Sequence, residues 1–212
     1  MQKLVLAMGL ATGLAWLAPV TSGEAGQSRA DRTLSCEAFT FLMDRDDFMA
    51  RFGDEALEDD LLNAGGRMIP GTMLFGGTTD HLDLFWNEGR GPRVITSMIA
   101  RAPESTWRSK DGIRIGSDLA AIEQINGRPF RLMGFGFDYL GTTMSWDGGV
   151  LAAQEQERCR LRLRLRPEAD AADPDLLGQV SGIREYWSNH PAMRDLNPRV
   201  YEMWLEFGRF GG

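Results

Sequence analysis

Residues 159–166 read CRLRLRLR. Cys159, Leu161, Leu163 and Leu165 point one way, and Arg160, Arg162, Arg164 and Arg166 point the other, with Arg158 continuing the basic series. Strict period two is the mark of a β-strand with one apolar and one polar face, and Pro167 ends it. Such a strand needs a sheet to lie in and an interior to bury its leucines. The phase puts Cys159 on the interior side. Arginines on one face repel, so the ribbon calls for carboxylates, from the acidic segment around Glu58 or from a neighbouring strand. Each opposite cross-strand pair is worth about 0.2–1 kcal/mol. If the face were open instead, Arg160, Arg162 and Arg164 would suit a sulfated or carboxylated glycan or an acidic protein segment.

The chain has one other cysteine, Cys36. An even pair in an oxidising compartment reads as a disulfide, here tying the start of the domain to the late strand. Two buried thiols are the alternative. The N-terminus supports the oxidising setting. Lys3 precedes an apolar run from Leu4 to Ala18, and Gly23 and Ala25 fit a small-x-small cleavage site, so residues 1–25 read as a signal peptide. The run is shorter than a membrane span requires, and no other segment is apolar enough to span a bilayer. The expected location is the periplasm or the exterior.

The composition is globular, with 43% apolar and 25% charged residues and a net charge of -7. An acidic surface repels nucleic acid and anionic lipid, which argues against a nucleic-acid partner. Outward from the basic strand, the sequence divides into two related stretches. Residues 112–149 place a short amphipathic helix before a glycine-rich turn and then strands. Residues 52–86 repeat that outline, with Leu57, Leu61 and Leu62 as a helical stripe stopped by Gly65 and Gly66. The fold class expected is α+β: two related modules of helix plus antiparallel sheet, residues 34–109 and 110–212, sharing a core and closed by a C-terminal strand over 201–210. In the second module Ser117 caps the helix, Leu119 and Ile122 form its buried stripe, and Asn126-Gly127 ends it. Residues 44–52 read as a loop, and 105–109 as a strand.

Sequence motifs for catalysis or metals are missing: there is no GxSxG, HExxH, phosphate loop or CxxC. The two histidines, His81 and His190, read as a solvated side chain and a loop residue. No cofactor or metal is expected. The segment 134–141, GFGFDYLG, is the sharper candidate. Its aromatics could wall a pocket, with Asp138 and the Tyr139 hydroxyl as polar handles and Trp146 and Asp147 at the rim. A tight glycine hairpin whose aromatics fill core is the competing reading. Asp138 and Asp147 could also form a glycosidase-type acid pair.

The run GIRIGSDLAAIEQINGRPF (112–130), followed by GFGFDYLGTTMSWDGG (134–149), resembles a family of secreted bacterial proteins of uncharacterised role. The likeness covers most of the chain after the leader, including a cysteine-bearing strand after the tryptophan. In the first module Glu55–Ala64 stands where that family has a helix, but Ala64-Gly65-Gly66 replaces its tyrosine-glycine ending. The opening of the second module is also similar to small envelope proteins that act by protein binding or assembly. Neither resemblance implies a substrate, cofactor or catalytic residue. Together these readings point to an exported, non-enzymatic envelope protein that binds a protein or glycan. A hydrolase of envelope glycan or peptide working through Asp138 and Asp147 is the alternative, and a purely structural domain is the third.

Overall fold

A computed structural model describes residues 32–88, 91–136, 141–168 and 173–209. The signal-peptide reading therefore falls outside the described residues. The fold is α+β, with four α-helices and two antiparallel sheets among the described residues. Helix α1 spans Arg45–Phe52, and strands β1 (Leu57–Ala64), β2 (Arg67–Leu74), β3 (Leu82–Trp86) and β4 (Ile95–Ala100) follow. Next come α2 (Leu119–Asn126), β5 (Arg131–Met133), β6 (Thr143–Ser145) and β7 (Cys159–Arg166). The chain closes with α3 (Pro174–Gln179), β8 (Glu185–Trp187), α4 (Pro191–Leu196) and β9 (Arg199–Phe207). The large sheet runs β1-β2-β3-β4-β9-β7 and the small one β6-β5-β8. The first half thus supplies four strands of the large sheet, and the second half completes it with β9 and β7.

The basic strand behaves as its alternation requires. Cys159, Leu163 and Leu165 are buried in the main core, with Leu161 packed against it. Cys36 and Cys159 form the disulfide, their Cα atoms 5.6 Å apart. The inner face of β3 likewise follows its alternation, with Leu82, Leu84 and Trp86 in the same core.

Three expectations for the first module are corrected, two of them at its start. Residues 57–64 are a strand, and Gly65-Gly66 is a two-residue hairpin turn, both with positive φ, that joins it to β2. Turns of this kind need left-handed backbone at both positions, which glycine supplies freely. The leucine spacing misled because β1 is a sheet edge whose acidic side chains face water. The helix lies instead at 45–52, read above as a loop. Asp44 caps it in a reciprocal box with Asp47, and Phe48 and Phe52, four residues apart, face the core. Phe48 meets Trp86 edge-on at 5.7 Å and stacks with Phe39 at 5.9 Å.

The second module holds with smaller changes. Asp118, not Ser117, caps α2, accepting from the Ala121 N–H at 2.8 Å; the Ser117 hydroxyl accepts from the Arg114 N–H. Leu119 and Ile122 are buried, and Gly127 takes the left-handed cap. At the end of the first module, residues 105–109 also make no strand; among the described residues Arg108 forms only isolated bridges, to Thr33 and Arg114. At Gly141 the backbone nearly touches β7: an added Cβ would lie 2.0 Å from the Leu165 carbonyl oxygen. Glycine there lets the small sheet dock on the large one, and the Leu165 N–H donates to the Gly141 carbonyl at 3.0 Å.

The outer face of the large sheet carries its own small cluster, Leu62, Phe85 and Ile99, with Trp204 packed beside it. Two strands separate β1 from β4, about 14 Å in a flat sheet. Yet the Arg101 guanidinium donates to the Asn63 carbonyl near the hairpin tip at 2.6 Å. The β1–β2 hairpin therefore curls over the outer face. Among the described residues, no helix is long and apolar enough to cross a membrane.

Candidate functional site

Trp146 and Asp147 are adjacent in sequence but divided between interior and surface. The Trp146 ring is buried, 5.3 Å from Phe130. It belongs to the main hydrophobic core. Asp147 then turns outward with φ of 53°, its N–H donating to the Ser145 hydroxyl at 3.1 Å. Its carboxylate lies 3.4 Å from the Arg128 guanidinium. Asp138 and Tyr139 lie outside the described residues.

Asn126 builds this juxtaposition. It ends α2 fully buried, and its amide donates to the Arg128 carbonyl and the Trp146 carbonyl, both at 3.0 Å. Its oxygen accepts from the Leu151 N–H at 3.2 Å. One satisfied side chain thus pins the helix end to the turn after β6 and sets Arg128 beside Asp147.

Strand β8 supplies the third part. It pairs with β5, placing Trp187 opposite Arg131, and alternation buries Tyr186 while leaving Trp187 outside, 44% exposed. The Arg131 guanidinium sits 5.7 Å over the Trp187 ring and pairs with Glu185 at 2.9 Å, which steadies the ring. Trp187, Asn189, Pro129, Arg128 and Asp147 line a cleft of 260 Å³. Arg128 and Pro129 also line a second cleft, of 670 Å³, along the exposed side of α2 with Gln124 and Glu123. The two clefts thus lie on either side of the Arg128-Pro129 wall. Glu123 is held by the Ser188 hydroxyl and by Arg194 at 3.3 Å.

Three of the five described tryptophans tie their indole N–H to the protein and a fourth is buried. Trp86 donates to the Thr72 hydroxyl, Trp107 to the Asp80 carbonyl and Trp204 to Glu202, while the Trp146 ring is buried against Phe130. Trp187 has no such acceptor among the described residues. It was missed in the sequence because a three-residue strand shows almost no periodicity. The only signal was Tyr186 and Trp187 on opposite sides of one short extended run.

The arginine ribbon is answered from the neighbouring strand, not from the segment around Glu58. Arg160 and Arg162 share Glu206 at 2.7 and 3.3 Å, and Arg164 pairs with Glu202 at 2.9 Å. Burial pushes the Glu155 carboxyl above its ordinary range, against the pull of Arg162 and Arg160. Burial likewise lowers the Arg162 guanidinium, helped by the like charge of Arg160. Glu202 also accepts from Arg101 at 2.9 Å, and Arg101 reaches Asp83. Arg160, Arg162 and Arg164 therefore hold strands together on a half-buried face.

The histidines have structural partners: His190 caps α4 by accepting from the Ala192 N–H, and His81 contacts the Thr78 carbonyl. No group of three His, Cys, Asp or Glu side chains among the described residues is placed to hold a metal ion. In comparison with known proteins, the chain matches no family model, no curated protein and no solved structure.

Proposed function

We propose that the protein is an exported, non-enzymatic binding module of the cell envelope, and that it takes a glycan in the groove between Trp187 and α2. The carrying observation is Trp187, a half-exposed indole with an unpartnered N–H beside a polar cleft. An aromatic platform presents an apolar face to a sugar ring, and its N–H is available to a hydroxyl. Around it, Asp147, Arg128, Asn189 and Gln124 offer the fixed donors and acceptors that orient a polyhydroxylated ligand. The disulfide suits an oxidising compartment, and the apolar leader at residues 4–18 points to export into the periplasm.

The hydrolase alternative assigns Asp147 an acid–base role, whereas the structure commits that carboxylate to an ion pair with Arg128. The test is isothermal titration of the leaderless protein with chitin-, cellulose- and peptidoglycan-derived oligosaccharides. At least one should bind, and Trp187→Ala should weaken it about tenfold or more, the order of 1.4 kcal/mol. Trp187→Phe should retain part of the affinity. Failure of every oligosaccharide, or equal binding by Trp187→Ala, overturns the reading. New reducing ends in the bound sample would transfer support to the hydrolase.

A further inference from the structure

A different cleft opens where β7 ends and β9 begins. It encloses 850 Å³, with Arg101 and Glu202 among its lining and Arg166, Arg199 and Tyr201 around it. The pairing rule of the ribbon breaks here. Arg160, Arg162 and Arg164 each meet a glutamate of β9, but Arg166 lies directly opposite Arg199. Like charges facing each other across two strands destabilise a sheet unless something negative lies between or beside them.

Both side chains are steadied in place. Arg199 bonds Glu168 through Nε at 3.2 Å and donates to the Gly116 carbonyl through Nη1 at 3.2 Å. Arg166 lies over the Tyr201 ring at 5.0 Å, and no carboxylate among the described residues is recorded in ion-pair contact with it. Arg164 lies over the same ring at 5.5 Å. The Tyr201 hydroxyl can donate to an anion as well as accept, as a phenol does.

Charge counting points the same way. The cleft and the groups bonded to its lining hold four guanidiniums, those of Arg101, Arg164, Arg166 and Arg199. Against them stand three carboxylates, Asp83, Glu202 and Glu168. Among the described residues, Glu202 and Asp83 meet Arg101 and Arg164, Glu168 meets Arg199, and the cation left without a carboxylate in contact is Arg166. A planar guanidinium with free N–H groups matches a carboxylate or phosphate in two-pronged geometry.

We infer that this cleft binds a small molecule bearing one oxyanion, a carboxylate or a phosphate, held by Arg166, Arg199 and the Tyr201 hydroxyl. The volume leaves room for a body the size of a sugar or small metabolite behind that group. The site shares no residue with the Trp187 groove and stands without it.

The test is calorimetric titration at low salt with inorganic phosphate and sodium glucuronate, and with glucose as the uncharged control. Either anion should bind, and which one binds more tightly identifies the oxyanion; glucose should not. Affinity should fall as sodium chloride is raised, because the contact is a partly exposed ion pair. Arg166→Gln/Arg199→Gln should weaken binding at least tenfold without lowering the melting temperature, since it removes a like-charged pair. Tyr201→Phe, which keeps the ring, should weaken binding severalfold. Trp187→Ala should leave it unchanged. Absence of binding by both anions overturns the site. So does equal binding by the double variant, or by Tyr201→Phe if the double variant does not fold.

Discussion

Glu202→Ala is expected to lose about 3–5 kcal/mol of folding stability, a large share of what a domain of this size holds. Glu202 is only 9% exposed and accepts three hydrogen bonds, from Arg101 Nε, Arg164 Nη1 and Trp204 Nε1, at 2.9, 2.9 and 2.8 Å. Removing the carboxylate leaves two largely buried guanidiniums and an indole donor facing one another beside the cleft. The cost is the penalty of stranding those groups, so it exceeds what the pairs contribute when intact. Glu202→Gln keeps an acceptor oxygen but not the charge, and should fall between the two. Urea unfolding gives the comparison directly. A loss below about 1 kcal/mol would show that water solvates these pairs as it does ordinary surface pairs.

Replacing both cysteines by alanine should cost about 4–5 kcal/mol, because the bridge closes a loop across a sequence separation of 123. For a chain of this length that corresponds to a melting temperature lower by about 10–15 °C. The bridge also fixes the segment before α1: the Gln156 side-chain amide donates to the Cys36 carbonyl at 3.2 Å. Reduction of the wild type should reproduce the shift, and reductant should not affect the double variant. A change of less than about 3 °C would mean that the segment around Cys36 is held by its aromatic packing alone.

The parts of the fold that could be read from sequence are those where one local pattern had only one physical solution. Strand β7 was legible to the residue because its two faces differ completely, and a slip of one position would bury arginines. Helix α2 was legible because a cap, an apolar stripe and the Asn126-Gly127-Arg128-Pro129 stop agree. Residues 57–64 were misread because an edge strand with acids on both sides has no burial to impose period two. Leucines at 57, 61 and 62 then mimic a helix. The groove was less legible still. Asp147 was named, but its partner Arg128 is brought to it by the buried Asn126 amide, and Trp187 arrives from a strand 40 positions further along the chain. The pairing of the ribbon with Glu202 and Glu206 likewise depends on which strand lies next to β7. Composition cannot say that.

Arg160, Arg162 and Arg164 are answered by glutamates of β9, and Trp187 marks the proposed glycan site. The most direct measurement is a set of indole N–H nuclear magnetic resonance signals of the leaderless protein, recorded while a binding oligosaccharide is added. Trp187→Phe identifies its signal by subtraction. The Trp187 signal should move or broaden on titration, while those of Trp86 and Trp107, hydrogen-bonded inside the protein, and of the buried Trp146 stay in place. A Trp187 signal unmoved at saturation, with the ligand bound, would contradict the assignment of this groove as the binding site.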